Sequence, residues 1–245
     1  MAVGNNIIQG TPGQQFSVQT SEPAEPLGTQ MVFPDGRKFR YAQAGAVAVV
    51  VGKLYQAAIP VANHVLQTAT AAAVGDRSVT LALGATAVTA DQYKDGYLVI
   101  DLASNTGFGY IYGIKTHGAV ASSGSFVVPL KESVQVAIDT TANSVSLVPN
   151  TFAGVILSVA TNNTAELAGV SVKPIAIGAW GWLQTAGHVM CLTTGTIVIG
   201  QKVFPSTTTG AVIAEAAFSV NQTCGIVTRV ASTTNYSTIL ALLDH

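Results

Sequence analysis

Short runs of β-branched and aromatic residues recur along most of this chain, and a glycine or a polar turn follows nearly every run. Ala46–Val51 is closed by Gly52, and Ser78–Leu83 alternates apolar with polar residues after the turn at residues 75–77. Runs of this length suit β-strands, and a spacing of roughly 8–12 residues is typical of sandwiches and barrels. The pattern therefore predicts an all-β fold from Tyr41 onward.

The runs fall into two groups that meet near Asn150. We therefore predict two barrel-like or sandwich-like β domains, residues 41–150 and residues 151–245. Helical periodicity is nearly absent, and the best candidates for short helices are Ala87–Tyr93 and Leu130–Ile138. Few helices, each of at most two or three turns, are expected.

Residues 1–40 have a different composition, rich in glycine, proline, glutamine, serine and threonine, with apolar residues that occur mostly singly. Such a stretch cannot bury enough apolar surface to build its own core. It is expected either to be disordered or to lie extended on a partner, and its scattered apolar residues favour the second. The sequence thus predicts an extended N-terminal arm over residues 1–40.

Charge is scarce in this chain. Only 9% of the residues are Asp, Glu, Lys or Arg, whereas about 25% is usual, and none of the four occurs from Pro174 to Gln201. Charged side chains normally cover much of a protein's surface, so the simplest interpretation is that other chains cover part of this one. The composition favours a component of an assembly over an enzyme.

Partners of other kinds are not expected. The net charge is −1, which argues against nucleic acid, and the basic group Arg37, Lys38 and Arg40 is interpreted from the residues alone as a solvated turn. The longest apolar stretch, Ala44–Gly52, is far shorter than the roughly 20 residues of a membrane helix. The N-terminus has no basic region followed by an apolar one, so synthesis in the cytoplasm is expected.

The residue types that carry catalysis are few and scattered. No histidine has a second metal ligand at a suitable spacing, and no Gly-x-Ser-x-Gly motif is present. His64, His117 and His188 are interpreted as hydrogen-bonded structural residues. We expect no enzyme activity, no cofactor and no metal.

Two cysteines and two tryptophans invite separate interpretations. Cys191 and Cys224 are interpreted as small buried hydrophobic residues, with a bridge between them as the minor option. Trp180 and Trp182 are expected to anchor a core or a subunit interface. The alternative for the tryptophans is a platform that stacks on sugars.

Two stretches of the chain together resemble the head decoration, or cement, proteins of tailed bacteriophages. The first is Phe33–Gly45 (FPDGRKFRYAQAG), a turn that leads into a strand after a proline-rich arm. The second is Ala179–His188 (AWGWLQTAGH), which is followed by Gly195–Gly200 and Ser206–Ala211. The general layout agrees along most of the chain.

The resemblance implies a β-rich homotrimer on the outside of the capsid, where it clamps neighbouring major capsid proteins. The host cytoplasm would be the place of synthesis and the virion the final location. Capsid contacts carried over from the family are Phe33, Arg37, Lys38, Arg40 and Tyr41. No catalytic residue is implied.

Two other functions stay open at this point. The chain could be a different virion part, such as a tail, baseplate or fibre protein. It could also be a carbohydrate-binding β protein, for which Trp180 and Trp182 are the supporting residues.

Overall fold

The computed structural model describes residues 7–142, 144–158, 164–214, 222–231 and 235–244. The all-β prediction is confirmed. In chain order the strands are β1 (Ile8–Gln9), β2 (Gln30–Val32), β3 (Lys38–Gln43), β4 (Leu54–Gln56), β5 (Thr68–Ala69), β6 (Ser78–Ala82), β7 (Tyr97–Ile100), β8 (Ile111–Gly113), β9 (Ser125–Pro129), β10 (Val145–Val148), β11 (Ile156–Leu157), β12 (Leu167–Ser171), β13 (Trp180–Thr194), β14 (Lys202–Pro205), β15 (Val212–Ala214), β16 (Gly225–Arg229) and β17 (Tyr236–Leu242).

Helical structure in the described residues is confined to two short 3₁₀ turns, Gln14–Phe16 and Ala62–His64. The two candidate segments for short helices, Ala87–Tyr93 and Leu130–Ile138, are therefore not helical. In the first segment Val88 forms a β-bridge with Val120, and Asp91 has a left-handed φ of 58°. In the second, Leu130 and Ile138 each form a β-bridge, with Ile114 and Ala72. The backbone N–H and C=O groups that a helix would pair within itself are thus used here in long-range β-bridges.

The chain divides into two compact units, Met1–Ala58 with Thr151–His245, and Ile59–Asn150. We call them the barrel unit and the inserted unit, because the second interrupts the first in sequence. The predicted boundaries lay at residues 40 and 150, whereas this division groups residues 41–58 with residues 151–245. Residues 8–43 are also not a separate arm in the described structure. β1 pairs with β2, β2 pairs with β3, and β3 pairs with β13.

The barrel unit is organised around β13, which has 15 residues. Its first half pairs with β3 and its second half with β17, while Thr193 and Thr194 pair in parallel with β15. β17 continues through β16 and β14 to β15, which closes a five-stranded barrel. Alternate side chains point inward, and those of Val189, Cys191, Val203, Val212, Val227 and Ile239 belong to one buried core.

The two cysteines lie in this core as free thiols. Both are fully buried. Burial raises the pKa of Cys191 to about 12 and that of Cys224 well above its ordinary value. The interpretation of both as small buried hydrophobic residues is confirmed.

The inserted unit contains two antiparallel three-stranded sheets, with strand orders β10-β7-β8 and β5-β6-β9. Side chains from both sheets enter a single apolar core, which includes Leu81, Leu98, Tyr112, Phe126 and Leu147. The strands have only two to five residues. Side-chain packing across the core must therefore supply most of the cohesion of this unit.

Candidate interaction surface

The turn between β2 and β3 presents Arg37 in a fixed position. The Phe33 N–H donates to the Arg37 carbonyl at 2.9 Å, and the Arg37 N–H donates to Asp35 Oδ1 at 3.1 Å. The Arg37 side chain returns to the same carboxylate, with Nε 2.7 Å from Oδ2. The backbone N–H of Arg37 is the main reason why the pKa of Asp35 is lowered, with the side-chain bond adding to it. A tight turn and an ion pair thus hold each other in place.

The guanidinium of Arg37 also lies over aromatic rings. Its central carbon is 4.9 Å from the ring centroid of Phe33 and 5.9 Å from that of Phe39. Attraction between the cation and the ring faces orients the side chain, while 31% of it remains exposed. Of the five predicted capsid contacts, Arg37 is best placed to meet another molecule.

Phe33 and Tyr41 do not have exposed side chains. Phe33 is 4% exposed and Tyr41 is 1% exposed. They belong to an aromatic cluster with Met31, Phe39 and Trp182. The expectation that these two side chains contact a partner does not fit this structure, because the cluster buries them within the barrel unit.

Trp182 is buried in the same cluster. Its ring meets Tyr41 edge to face at a centroid distance of 4.9 Å, and its Nε1–H donates to Ser17 Oγ at 3.1 Å. Trp180 is only partly buried. Of the two alternatives for these tryptophans, Trp182 therefore anchors the core of its own unit, and Trp180 keeps a surface that a neighbouring subunit could cover.

Arg40 is committed to a contact within its own unit. Its Nη2 lies 2.8 Å from Asp244 Oδ1, and Gln30 Nε2 donates to Asp244 Oδ2 at 2.7 Å. The Asp244 side chain is 9% exposed. Burial alone would raise the pKa of Asp244, but hydrogen bonds from Arg40 and Gln30 outweigh it and leave the pKa below its ordinary value. The contact joins β3 to the residues that follow β17.

Lys38 lies beside this contact, paired in register with Val32 and Ala186. It is partly exposed. Its charge helps to lower the pKa of Asp244. A role for Lys38 in binding a partner stays a prediction.

An open depression of about 640 Å³ adjoins the turn. Asp35, Arg37 and His188 supply its polar groups, and residues 240–242 supply its apolar side. Gly187 has a left-handed φ of 86°, and a Cβ there would come within 2.8 Å of Arg37 Cγ. The close approach of β13 to the turn therefore needs glycine, as the left-handed backbone also does. Sequence reasoning missed this site, because residues far apart in the chain form it.

A second surface lies on the inserted unit, on the outer face of the sheet β10-β7-β8. Tyr97 pairs with Val148, and Val99 pairs with Ile111, so all four lie on one face. Tyr97 is 49% exposed, Ile111 57% and Val148 41%. We call this set the apolar face. The three strands contain no charged residue.

The other sheet of the inserted unit has a different outer face. β6 alternates buried Val79 and Leu81 with Ser78, Thr80 and Ala82, and Val127 of β9 is an exposed apolar residue beside them. Alternation is usual for a sheet with one face in water, whereas continuous apolar residues are usual where both faces are covered. The continuous apolar run YLVI of β7 carried this signal.

Among the described residues, no three His, Cys, Asp or Glu side chains form a possible metal site. The same residues contain no helix with the length and apolar character needed to cross a bilayer. Comparisons with protein-family models, with curated proteins and with solved structures found no match.

Proposed function

We propose that this chain is a structural component of a tailed-phage head, a decoration protein that forms a homotrimer and binds neighbouring major capsid proteins from outside. The observation that carries the proposal is the apolar face, exposed in a chain with few charges. Contiguous exposed apolar residues are a common mark of a protein–protein contact, whereas apolar residues exposed singly are not. The resemblance of residues 33–45 and 179–188 to decoration proteins is the reason for assigning the chain to a phage head.

The apolar face is assigned to contact between copies of the chain. Its four residues are uncharged, so three copies of the face can converge at a three-fold axis without bringing like charges together, and the Asp101 carboxylate, which accepts from Ser146 Oγ beside them, would stay at the edge of the contact. Burial of Tyr97 and Ile111 would remove apolar area from water, which favours association. Trp180 remains a further candidate for the subunit interface.

The turn at Arg37 is assigned to contact with the capsid protein. Arg37 and Lys38 have partly exposed side chains, and the aromatic cluster beneath them keeps the hairpin rigid. Phe33 and Tyr41 support this surface from within. A trimer would present three copies of the turn at once, and several weak contacts then give lasting attachment. Attachment would stabilise the shell, because the protein binds the assembled state in preference to free subunits.

The first experiment tests self-association. Sedimentation velocity of the purified chain should give a trimer, and Ile111→Glu should shift it towards monomer by placing a charge in the apolar face. Val127→Glu is the matched control, because Val127 is 56% exposed on the outer face of the other sheet. A wild-type monomer at all concentrations, or equal effects of the two substitutions, would contradict the assignment.

The second experiment tests location. Antibodies against the purified chain should label the head exterior of virions in which mass spectrometry detects the chain. Label on the tail, the baseplate or a fibre would support the alternative of another virion part. The carbohydrate-binding alternative loses one of its two supporting residues, because the buried Trp182 cannot stack on a sugar.

A further inference from the structure

The outer wall of the barrel carries positive charge that its own strands do not balance. Strands β13 to β17 contain two charged residues, Lys202 and Arg229, and neither Asp nor Glu. The exposed Arg229 donates from Nε to Thr238 Oγ1 at 3.2 Å and from Nη2 to the Tyr236 carbonyl at 3.3 Å. Both acceptors are neutral, and no described carboxylate forms an ion pair with Arg229.

A second guanidinium, that of Arg37, lines the depression beside β13 and β17. Its Nε donates to Asp35, whereas its two Nη nitrogens donate to none of the described residues. The rings of Phe33 and Phe39 lie against it and limit its movement. Two N–H groups of one guanidinium can bind a carboxylate side by side. Arg37 thus retains donors for a carboxylate of another molecule, although Asp35 is already bound to it.

The charges around the depression favour an acidic partner. Both acidic side chains there, Asp35 and Asp244, are already paired, with Arg37 and with Arg40. Lys38 is partly exposed and forms no ion pair with a described residue. The surface from the turn to the barrel wall therefore has a net positive charge, which attracts carboxylates and repels other basic groups.

Apolar side chains separate the two free guanidinium edges. Leu240 and Leu242 lie on the outward side of β17 and line the depression, and Leu242 is 37% exposed. Ile226 of β16 pairs with Leu240 and is also partly exposed. A ligand that covers this strip gains by placing an apolar side chain on it. A peptide can supply both that side chain and the carboxylates.

His188 adds a group that suits a peptide. The Thr228 hydroxyl donates to the Thr238 carbonyl at 3.1 Å, so its oxygen accepts from His188 Nδ1, 3.3 Å away. Neutral His188 then has a lone pair on Nε2 and is a hydrogen-bond acceptor in the lining of the depression. A peptide N–H can donate to this nitrogen, whereas a phosphodiester has no hydrogen to donate.

We propose that this wall of the barrel unit binds an acidic peptide segment of the capsid protein. One carboxylate binds the Nη groups of Arg37, a second binds Arg229, and an apolar side chain between them packs on Leu240. The inference rests on the proposed function for the identity of the partner. The chemistry of the segment follows from the wall itself.

The strand register gives the spacing of the two carboxylates. Gly187, which adjoins Arg37, pairs with Ala241 of β17, and Arg229 pairs with Thr238 of the same strand. Gly187 and Arg229 are thus two strand intervals apart across the wall and three residues apart along it, which is about 14 Å. An extended peptide covers this distance in about four residues. We therefore expect acidic residues at positions i and i+4 of the segment.

Methyl NMR spectra of the full-length chain test the inference with a synthetic peptide, acetyl-Asp-Gly-Leu-Gly-Asp-amide. The methyl signals of Leu240 and Leu242 should shift on addition of the peptide, and those of the buried Val79 in the inserted unit should not. Added sodium chloride should weaken binding, because exposed charges are screened. A peptide with Asn in place of both Asp residues is the matched control and should bind more weakly.

Three variants locate the contact. Arg229→Gln and Arg37→Gln should each weaken binding of the peptide about two- to fivefold, as expected for exposed ion pairs. Arg229 lies on the surface of a strand, so its substitution leaves the fold intact and is decisive alone. Arg77→Gln, at an exposed arginine of the inserted unit, is the control and should change nothing.

Three results would overturn the inference. The first is equal binding of the Asp and Asn peptides. The second is unchanged binding in Arg229→Gln. The third is a short single-stranded DNA that shifts the same methyl signals at a lower concentration than the peptide, which would assign the wall to phosphate groups.

Binding to phage heads that lack the chain separates this inference from the proposed function. The double variant of Arg37→Gln and Arg229→Gln should lose most of its binding to heads. Full binding by the double variant would overturn the inference and leave the proposed function in place. Failure of the wild type to bind heads would overturn the proposed function and, with it, the identity of the partner.

Discussion

The barrel unit and the inserted unit both bury an apolar core, but they hold their strands together in different ways. In the barrel unit one long strand, β13, pairs with four other strands, and hydrogen bonds close the ring. In the inserted unit the strands are short, and several backbone pairings are isolated bridges such as Gln67 with Val145. One sequence pattern of short apolar runs thus supports both closure by backbone pairing and cohesion by side chains.

The largest expected losses of stability come from substitutions that leave comparable cavities in the two cores. Ile239 in β17 and Leu98 in β7 are both fully buried, and replacing either by Ala should cost about 2–5 kcal/mol. Each substitution should weaken only its own unit. Hydrogen exchange with mass spectrometry along a urea gradient reports each unit separately. A single transition that both substitutions shift equally would show that the two units unfold as one.

A smaller effect is expected where two barrel strands approach closely. A Cβ on Gly225 would lie 2.2 Å from the Leu240 carbonyl oxygen. Gly225→Ala must therefore move the backbone of β16 or β17, at a cost of about 1–3 kcal/mol. Urea unfolding of the variant measures that cost.

The control for this prediction is Gly118→Ala in the inserted unit. A Cβ there would meet no atom within 4 Å. Its effect should stay within about 0.5 kcal/mol. Equal effects at the two glycines would mean that the close approach at Gly225 contributes nothing to closure of the barrel.

The smallest effect is expected at the contact between Arg40 and Asp244. Asp244→Asn removes a partly buried ion pair and should cost about 1–2 kcal/mol at pH 7. Because the pKa of Asp244 is lowered on folding, its charge stabilises the barrel unit above the ordinary pKa of Asp. That contribution to stability is lost as the pH falls through the lowered pKa of Asp244 in the folded protein.

The urea midpoints of wild type and Asp244→Asn should therefore converge between pH 7 and pH 3. Asp35→Asn is the control, because Asp35 is exposed and its substitution should change the midpoint little at either pH. A difference between wild type and Asp244→Asn that persists at pH 3 would show that the charge is not the source of the stability.

The sequence allowed the fold class to be predicted, because strand length, turns and alternation are local properties. The division into units could not be predicted in the same way. The pairing of β3 with β13 joins Tyr41 to Trp182 across most of the chain, and no local pattern records it. Residues 1–40 were therefore predicted to be an arm, although Met31, Phe33 and Phe39 form one core with the distant Trp182.

The candidate site was predicted only in part, for the same reason. The turn at Asp35 and Arg37 is a local feature and could be identified from the sequence. Its neighbour His188 lies on a distant strand, and the burial of Phe33 and Tyr41 depends on Trp182. The apolar face did leave a signal, since consecutive apolar residues in β7 indicate a strand covered on both sides.

The interruption of one unit by the other has a consequence for biosynthesis. Every residue of the inserted unit leaves the ribosome before β17, which pairs with β13 and closes the barrel. The inserted unit can therefore assemble during translation, while the barrel unit must wait until Tyr236–Leu242 has been synthesised. A nascent chain that stops short of residue 236 would contain a complete inserted unit and an incomplete barrel unit.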